Sequence, residues 1–306
     1  MMLDKIKGGL FGVAIGDALG ATTEFMSRGE IEEEYGYLTE IIGGGWLGLE
    51  PGETTDDTAM TVAVAKGLIA NPANPVARIG NEIKKWVETN PRDIGNILRT
   101  TYDCYDGDWF EAAEKAHQVL SGRSAGNGTL MRCLPVALVY SDQTKIMEIS
   151  RLQSKMTHYD DLASEACVLY NCIANRILSG ESLTSAMEEE TRDTRYGEAI
   201  KEKPQVSPNG YVENTLKWVL HLLWNASSFE EVVQEAANQG GDSDTIGAIA
   251  GGLAGLYWGF EAISPEYKEA ILIKEELESL AEQLWQVRQN EMENISSESF
   301  SATPGS

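Results

Sequence analysis

Two short acidic segments, far apart in the chain, carry the same grammar. Glu53-Thr54-Thr55-Asp56-Asp57-Thr58 runs straight into the apolar stretch Ala59-Met60-Thr61-Val62-Ala63-Val64. Gly240-Gly241-Asp242-Ser243-Asp244-Thr245 runs into Ile246-Gly247-Ala248-Ile249-Ala250. Each places two carboxylates and a threonine hydroxyl at the mouth of an expected helix. Taken singly, such a segment is an ordinary N-cap, worth about 1 kcal/mol and suited to the helix dipole. One cap needs only one side-chain oxygen, however, and adjacent carboxylates repel each other unless a cation compensates them. If the fold joins the two mouths, four carboxylates and two hydroxyls converge, and so anionic an all-oxygen donor set suits hard cations. Asp242 and Asp244 also mimic the start of a calcium loop, but Ile246 fills its third ligand position and Leu253 replaces its glutamate.

A third segment, Ser124-Ala125-Gly126-Asn127-Gly128-Thr129-Leu130-Met131-Arg132, again reads as a loop entering a helix. Small residues ahead of a helix leave backbone N–H groups free to cradle phosphate oxygens. A plain turn and cap is the competing reading. The segment is not a Walker loop, because no Lys-Ser/Thr follows the glycines. Beside a pair of cations, it suggests a substrate that carries phosphate and a bond to be hydrolysed.

Helices must position these segments. Apolar residues recur at helical spacing at Leu3, Ile6, Leu10, Ala14 and Ala18, again at Cys167, Leu169, Cys172, Ile173 and Ile177, and at Leu277, Leu280, Leu284 and Val287. Strand signals are weak, with residues 37–42 the one short extended candidate. The chain therefore predicts an all-α fold. Gly8, Gly12, Gly16 and Gly20 fall every fourth residue in the first helix, and Gly247, Gly251, Gly255 and Gly259 repeat the pattern after the second acidic segment. A glycine inside a helix costs roughly 1 kcal/mol against alanine, so two such stripes need a reason. A face without side chains lets another helix approach closely. A membrane dimer also uses this spacing, but Asp17 interrupts one stripe and the other apolar run falls short of the ~20 residues a span needs. Both helices are expected at the centre of a compact bundle, packed backbone to backbone.

Composition narrows the function. The 306 residues include 48 acidic and 24 basic side chains, a net charge of −24, which opposes nucleic-acid binding because that affinity comes from Lys and Arg on phosphates. Cys104, Cys133, Cys167 and Cys172 form no C-x-x-C pair or disulfide spacing, and with three histidines a zinc site is poorly supplied. Free, buried thiols in a reducing cytoplasm are the simplest expectation. No signal peptide and no integral membrane segment are expected. No low-complexity seam divides the chain, so one domain is expected over 1–294, followed by a disordered tail over 295–306.

With these residues assembled, the chain resembles the ADP-ribosylglycohydrolase family. The matching elements are Gly16-Asp17-Ala18-Leu19-Gly20-Ala21-Thr22-Thr23-Glu24-Phe25, Gly43-Gly44-Gly45-Trp46-Leu47 with Pro51-Gly52, and Thr55-Asp56-Asp57-Thr58. Asp93-Ile94-Gly95-Asn96, Gly126-Asn127-Gly128 with Met131-Arg132, Thr157-His158, and Asn238-Gln239-Gly240-Gly241-Asp242-Ser243-Asp244-Thr245 continue it in the family's order. The resemblance implies an orthogonal multi-helix bundle with a binuclear manganese or magnesium centre. Its ligands would be Thr55, Asp56, Asp57, Asp242, Asp244 and Thr245.

The resemblance further implies removal of ADP-ribose from an arginine of a modified protein. Glu24 would lie beside the metals, and Asp93 would contact the ribose and act in catalysis. Gly126, Asn127 and Gly128, with Thr129, would meet the diphosphate; His158 and Tyr211 would flank the adenine. Cleaving an N-ribosyl bond builds positive charge on the ring, which nearby carboxylates favour. A water held by two cations has a lowered pKa and becomes a usable nucleophile. Glu24 or Asp93 would shuttle the proton. The implied target is dinitrogenase reductase, the implied regulatory partner a PII-type signalling protein, and the implied state a monomer. The same fold also serves other acceptors: an ADP-ribosylated serine, a small metabolite or a toxin's target. A retired fold member acting as a binding protein is a third reading, opposed by the intact ligand positions. Acceptor choice is expected in the Trp46 loop and the 100–125 region, with Trp109 and Arg123.

Overall fold

The computed structural model describes residues 1–198 and 200–301, with side chains through residue 293. Within them lie fifteen α-helices. These are α1 (Met2–Gly20), α2 (Arg28–Tyr35), α3 (Asp56–Ala70), α4 (Val76–Val87), α5 (Asn96–Asp103), α6 (Trp109–Val119), α7 (Pro135–Val139) and α8 (Gln143–Lys155). They continue with α9 (Asp161–Leu178), α10 (Leu183–Thr191), α11 (Val212–Asn225), α12 (Phe229–Ala237), α13 (Ser243–Trp258), α14 (Pro265–Ala270) and α15 (Lys274–Ser301). Among the described residues, β-pairing is confined to the isolated bridges Gly44–Leu49 and Gly126–Tyr211. Residues 37–42, the expected extended piece, join no ladder. The side-chain amide of Asn238 satisfies that stretch instead, accepting from Leu38 N and donating to Leu38 O, both at 2.8 Å.

The glycine stripes are the spine of the fold. α1 and α13 form the most extensive helix pair and run antiparallel, with Gly8 against Gly255, Gly12 against Gly251, Gly16 against Gly247 and Gly20 against Ser243. A Cβ added at Gly12 or Gly16 would lie 2.0 Å from the carbonyl oxygen opposite. Gly259 departs from the expected stripe. It takes φ +86° as the C-cap of α13, a conformation that glycine adopts far more readily than other residues, and it faces the carboxylate of Asp4.

This register fixes the acidic mouths. The C-terminal end of α1 meets the N-terminus of α13, where Ser243 Oγ donates to Gly20 O at 2.9 Å and lies 3.1 Å from Thr23 Oγ1. One turn earlier, Asp17 reaches α3. Its carboxylate accepts from Thr55 N at 3.1 Å, from Thr58 N at 3.0 Å and from the Thr58 hydroxyl. One helix thus anchors both mouths.

The periodic positions of α9 are all buried; in α1, Leu3 is only half-buried. In α15, Leu277, Leu280 and Leu284 are buried, while Val287 yields to Arg288, whose guanidinium donates to Ala137 O at 2.8 Å and Tyr140 O at 2.7 Å. The cysteines are free; Cys133, Cys167 and Cys172 are buried and Cys104 half-buried. No described helix is long and apolar enough to cross a membrane. Of the tail expected over 295–306, residues 302–306 and the side chains of the remainder lie outside the described residues.

Candidate active site

The two acidic mouths meet. Thr55 is the N-cap of α3, its hydroxyl accepting from Asp57 N at 3.3 Å. Asp242 occupies the N-cap position of α13 but caps nothing with its side chain. Its Oδ2 instead accepts from Asn127 Nδ2 at 2.6 Å, so this carboxylate is turned toward the site. The hydroxyls of Thr55, from one mouth, and Thr245, from the other, both donate to Asp57 Oδ2 at 3.4 Å. Glu24, Asp242 and Asp244 each offer a carboxylate oxygen within 4.8 Å of the others. Asp57 Oδ1 is buried with no hydrogen-bond partner. An orphaned anionic oxygen inside an all-oxygen cluster fits a hard divalent cation.

The electrostatics agree. Burial, and then the charges of Asp242, Asp93 and Asp56, push Glu24 up to about 8, against the opposing hydrogen bond from Trp46 Nε1. Burial and then the charge of Asp93 raise Asp56 to about 7. Burial and neighbouring carboxylates hold Asp57 and Asp244 well above the usual range. Burial also raises Asp242, opposed by its bond from Asn127, and carries Asp17 to about 6 against the bonds from Thr58 and Thr55.

A carboxylate whose pKa is raised by folding binds its proton more tightly in the native state. Its stabilising protonation is present at low pH and is lost as pH climbs from about 4 through the folded value. Chelator-treated protein should therefore melt at progressively lower temperature from pH 5 to pH 8. Added Mn2+ should flatten that decline, because a cation favours the ionised forms. A melting temperature that rises over this range in chelator would contradict the assignment.

A cleft of about 560 Å3 opens on the cluster. Glu24, Asp56, Asp57, Asp93, Asp242, Asp244 and Thr245 line it, as do Gly126, Asn127, Gly128 and His158. Gly126 and Gly128 make room for the imidazole, since a Cβ on either would sit 3.3 Å from His158 Nε2. His158 is 3% exposed, and burial and then the charge of Arg132 press its pKa down to about 3, leaving the ring neutral. Asp93, in the loop ahead of α5, is not a cap, as Gly95 holds that position. Three expected residues are not on the cleft wall. Thr55 donates to Asp57 Oδ2 but lines a neighbouring cleft instead; Thr129 is buried with its hydroxyl 2.8 Å from Ser154 Oγ; Tyr211, 45% exposed, donates to Glu213 and is bridged to Gly126 through its backbone.

The segment after Gly128 corrects the expectation of a loop entering a helix. Residues 128–132 form turns, with Leu130 N and Met131 N both donating to Asn127 O, and the next helix begins only at Pro135. The cause is burial of the polar side chains Thr129 and Arg132 against α8. Arg132 Nε donates to Gln153 Oε1 at 3.1 Å and Nη2 to Gln153 O at 2.9 Å, while Gln153 Nε2 donates to Thr129 O at 3.2 Å. The N–H groups of Gly128 and Thr129 find no acceptor among the described residues, so the turn still leaves donors free.

Three residues that the sequence shows only within larger motifs have roles that the fold reveals. Asp17, an interruption of the glycine stripe and part of the motif over residues 16–25, anchors the start of α3. Arg132, fully buried with Nη1 unpartnered, donates to Thr157 Oγ1 at 2.8 Å, and that hydroxyl lies 3.0 Å from His158 Nδ1, so it orients the histidine. The Trp46 indole, half-exposed and 5.4 Å from the Phe25 ring, holds Glu24. Phe25 itself takes φ +64°, an uncommon conformation for so bulky a residue, beside the cluster.

A sequence model of the ADP-ribosylglycohydrolase family matches residues 1–294. The chain is 35% identical to the ADP-ribosyl-[dinitrogen reductase] glycohydrolase of Rhodospirillum rubrum, over 90% of this chain and 92% of that one. It is 30% identical to the ADP-ribosylarginine hydrolase Tri1 of Pseudomonas putida (strain GB-1), over 92% and 78%. It is 25% identical to the ADP-ribosylhydrolase ARH3 of Mus musculus, over 94% and 92%. A solved structure described as an ADP-ribosylglycohydrolase-related protein complex superposes with a TM-score of 0.80 at 30% identity, covering 94% of this chain and 99% of that one.

Proposed function

The chain belongs to the ADP-ribosylglycohydrolase family, and from that premise we propose that it hydrolyses the N-glycosidic bond between ADP-ribose and an arginine of a modified protein. The observation that carries this reading is the meeting of both acidic helix mouths in one cleft whose other wall is Gly126, Asn127, Gly128 and His158. Dinitrogenase reductase is the target we favour, supported by the 35% identity to the Rhodospirillum rubrum enzyme named for it. The acceptor arginine has the further support of the Tri1 relative.

Thr55, Asp56, Asp57, Asp242, Asp244 and Thr245 would hold two divalent cations, manganese or magnesium. Bound there, such cations neutralise the crowded carboxylates and supply Lewis acidity. The chain's own groups do the rest. The free N–H of Gly128, on the cleft wall, would meet the diphosphate, and the neutral, buried imidazole of His158 would flank the adenine end. Asp93 opposes the positive charge that grows on the ribose ring as the bond lengthens. The proton moves through Glu24 or Asp93, the two cleft carboxylates outside the ligand set, and burial raises the pKa of both, which suits that work.

The test is ADP-ribose release from two peptides, one modified on arginine and one on serine, each with Mn2+ and with chelator. Release from the arginine peptide with Mn2+ is the expected outcome. Release from the serine peptide alone would replace the arginine reading with the serine one.

A further inference from the structure

A second cleft, of about 490 Å3, shares Asp56 and Asp93 with the first. It lies along α3 and α4, with Ala59, Val62, Ala63 and Trp86 among its apolar lining and Leu47 and Leu49 from the Trp46 loop. Its other charges are already neutralised. Lys66 pairs with Glu276 at 2.7 Å, Lys85 with Glu82 at 2.6 Å, and Arg92 with Glu53. Among the described residues, Asp56 and Asp93 are the only lining carboxylates without an ion-pair partner, and they stand where the two clefts meet.

The chemistry selects the occupant. An anion would find no free cation in this groove. A group with an aliphatic stem and a cationic tip matches its chemistry, the stem on the apolar side chains and the tip at an unpaired carboxylate. Arginine has that form, and its planar guanidinium suits carboxylate recognition. We propose that this groove receives the acceptor arginine and its flanking peptide, with the guanidinium at Asp93. The ADP-ribose then fills the first cleft, and the scissile bond lies at the junction. This assignment rests on the hydrolase reading above and gives the modified protein its side of the site.

The experiment compares Ala59→Phe and Trp86→Ala with the parent protein in Mn2+. Ala59 is a half-exposed position one turn after Asp56, and the bulkier ring would fill the groove. Two quantities are measured: the KM for an ADP-ribosyl-arginine peptide, and the affinity for free ADP-ribose by calorimetry. The expected result is a KM raised about tenfold in both variants, the loss of roughly 1.4 kcal/mol of binding, with ADP-ribose affinity within about twofold of the parent. Retained ADP-ribose affinity also shows that the variants fold. An unchanged KM in both would overturn the groove assignment and leave the hydrolase reading standing. Loss of ADP-ribose affinity in both would give the groove to the nucleotide and likewise overturn it. A parent protein that neither binds ADP-ribose nor releases it would fail both readings together.

Discussion

Asp244→Ala is expected to lose on the order of a thousandfold in turnover while remaining folded, and in chelator at pH 8 to melt no lower than the parent protein. The two effects have opposite origins. Asp244 is 3% exposed, among carboxylates that repel it, and burial and then Asp57 and Glu24 hold its pKa well above the usual range. Removing a desolvated, repelled charge relieves the metal-free fold. The loss of its bond from Thr245 N, at 2.8 Å, costs about 1 kcal/mol in return. A residue kept for structure would behave the other way, with stability falling and turnover following it. Activity and thermal melting with and without Mn2+ separate the cases, and the Mn2+-induced rise in melting temperature should shrink in the variant.

Gly16→Ala should be among the most damaging single-methyl changes in the molecule. In an ordinary helix the exchange gains up to about 1 kcal/mol. Here the new Cβ would stand 2.0 Å from Gly247 O and 2.3 Å from Gly247 C, backbone atoms that cannot turn aside. α1 and α13 would have to part, and overpacking of that kind costs about 3 kcal/mol or more, a large share of a total of roughly 5–15 kcal/mol. The register that brings Asp17 to α3 and Gly20 to α13 would loosen with it, so divalent-cation affinity should fall as well. Gly29→Ala is the control. That glycine lies in α2 with nothing within 4 Å of an added Cβ, and the exchange there should be neutral or stabilising. Urea denaturation of both variants decides the matter. Equal stabilities would refute the close-packed spine.

These two results also mark what was legible in the sequence. The i, i+4 glycines announced a backbone-to-backbone pair, because no other soluble packing repays such a loss of helix propensity. The doubled acidic mouths announced a cation site, because repulsion between neighbouring carboxylates is a local property of the chain. What escaped depended on partners distant in sequence. Asp17 caps a helix to which it does not belong, and no local pattern marks a carboxylate as another helix's cap. Arg132 reaches His158 through Thr157 only because α8 folds over the turn after Gly128. That turn was misread for the same reason: a loop of small residues looks alike whether a helix or a buried arginine follows. The groove shared at Asp93 needs α3, α4 and the Trp46 loop assembled before it exists.

If the converged carboxylates serve ADP-ribosyl hydrolysis through bound divalent cations, activity must follow the cation. Stripping the protein with chelator and titrating Mn2+ back, while following ADP-ribose release from an arginine-modified peptide, measures that dependence. The expected result is no release above background in chelator and a saturable return of activity that tracks Mn2+ occupancy measured by calorimetry. Full activity in chelator, or cation binding without any release, would contradict the account.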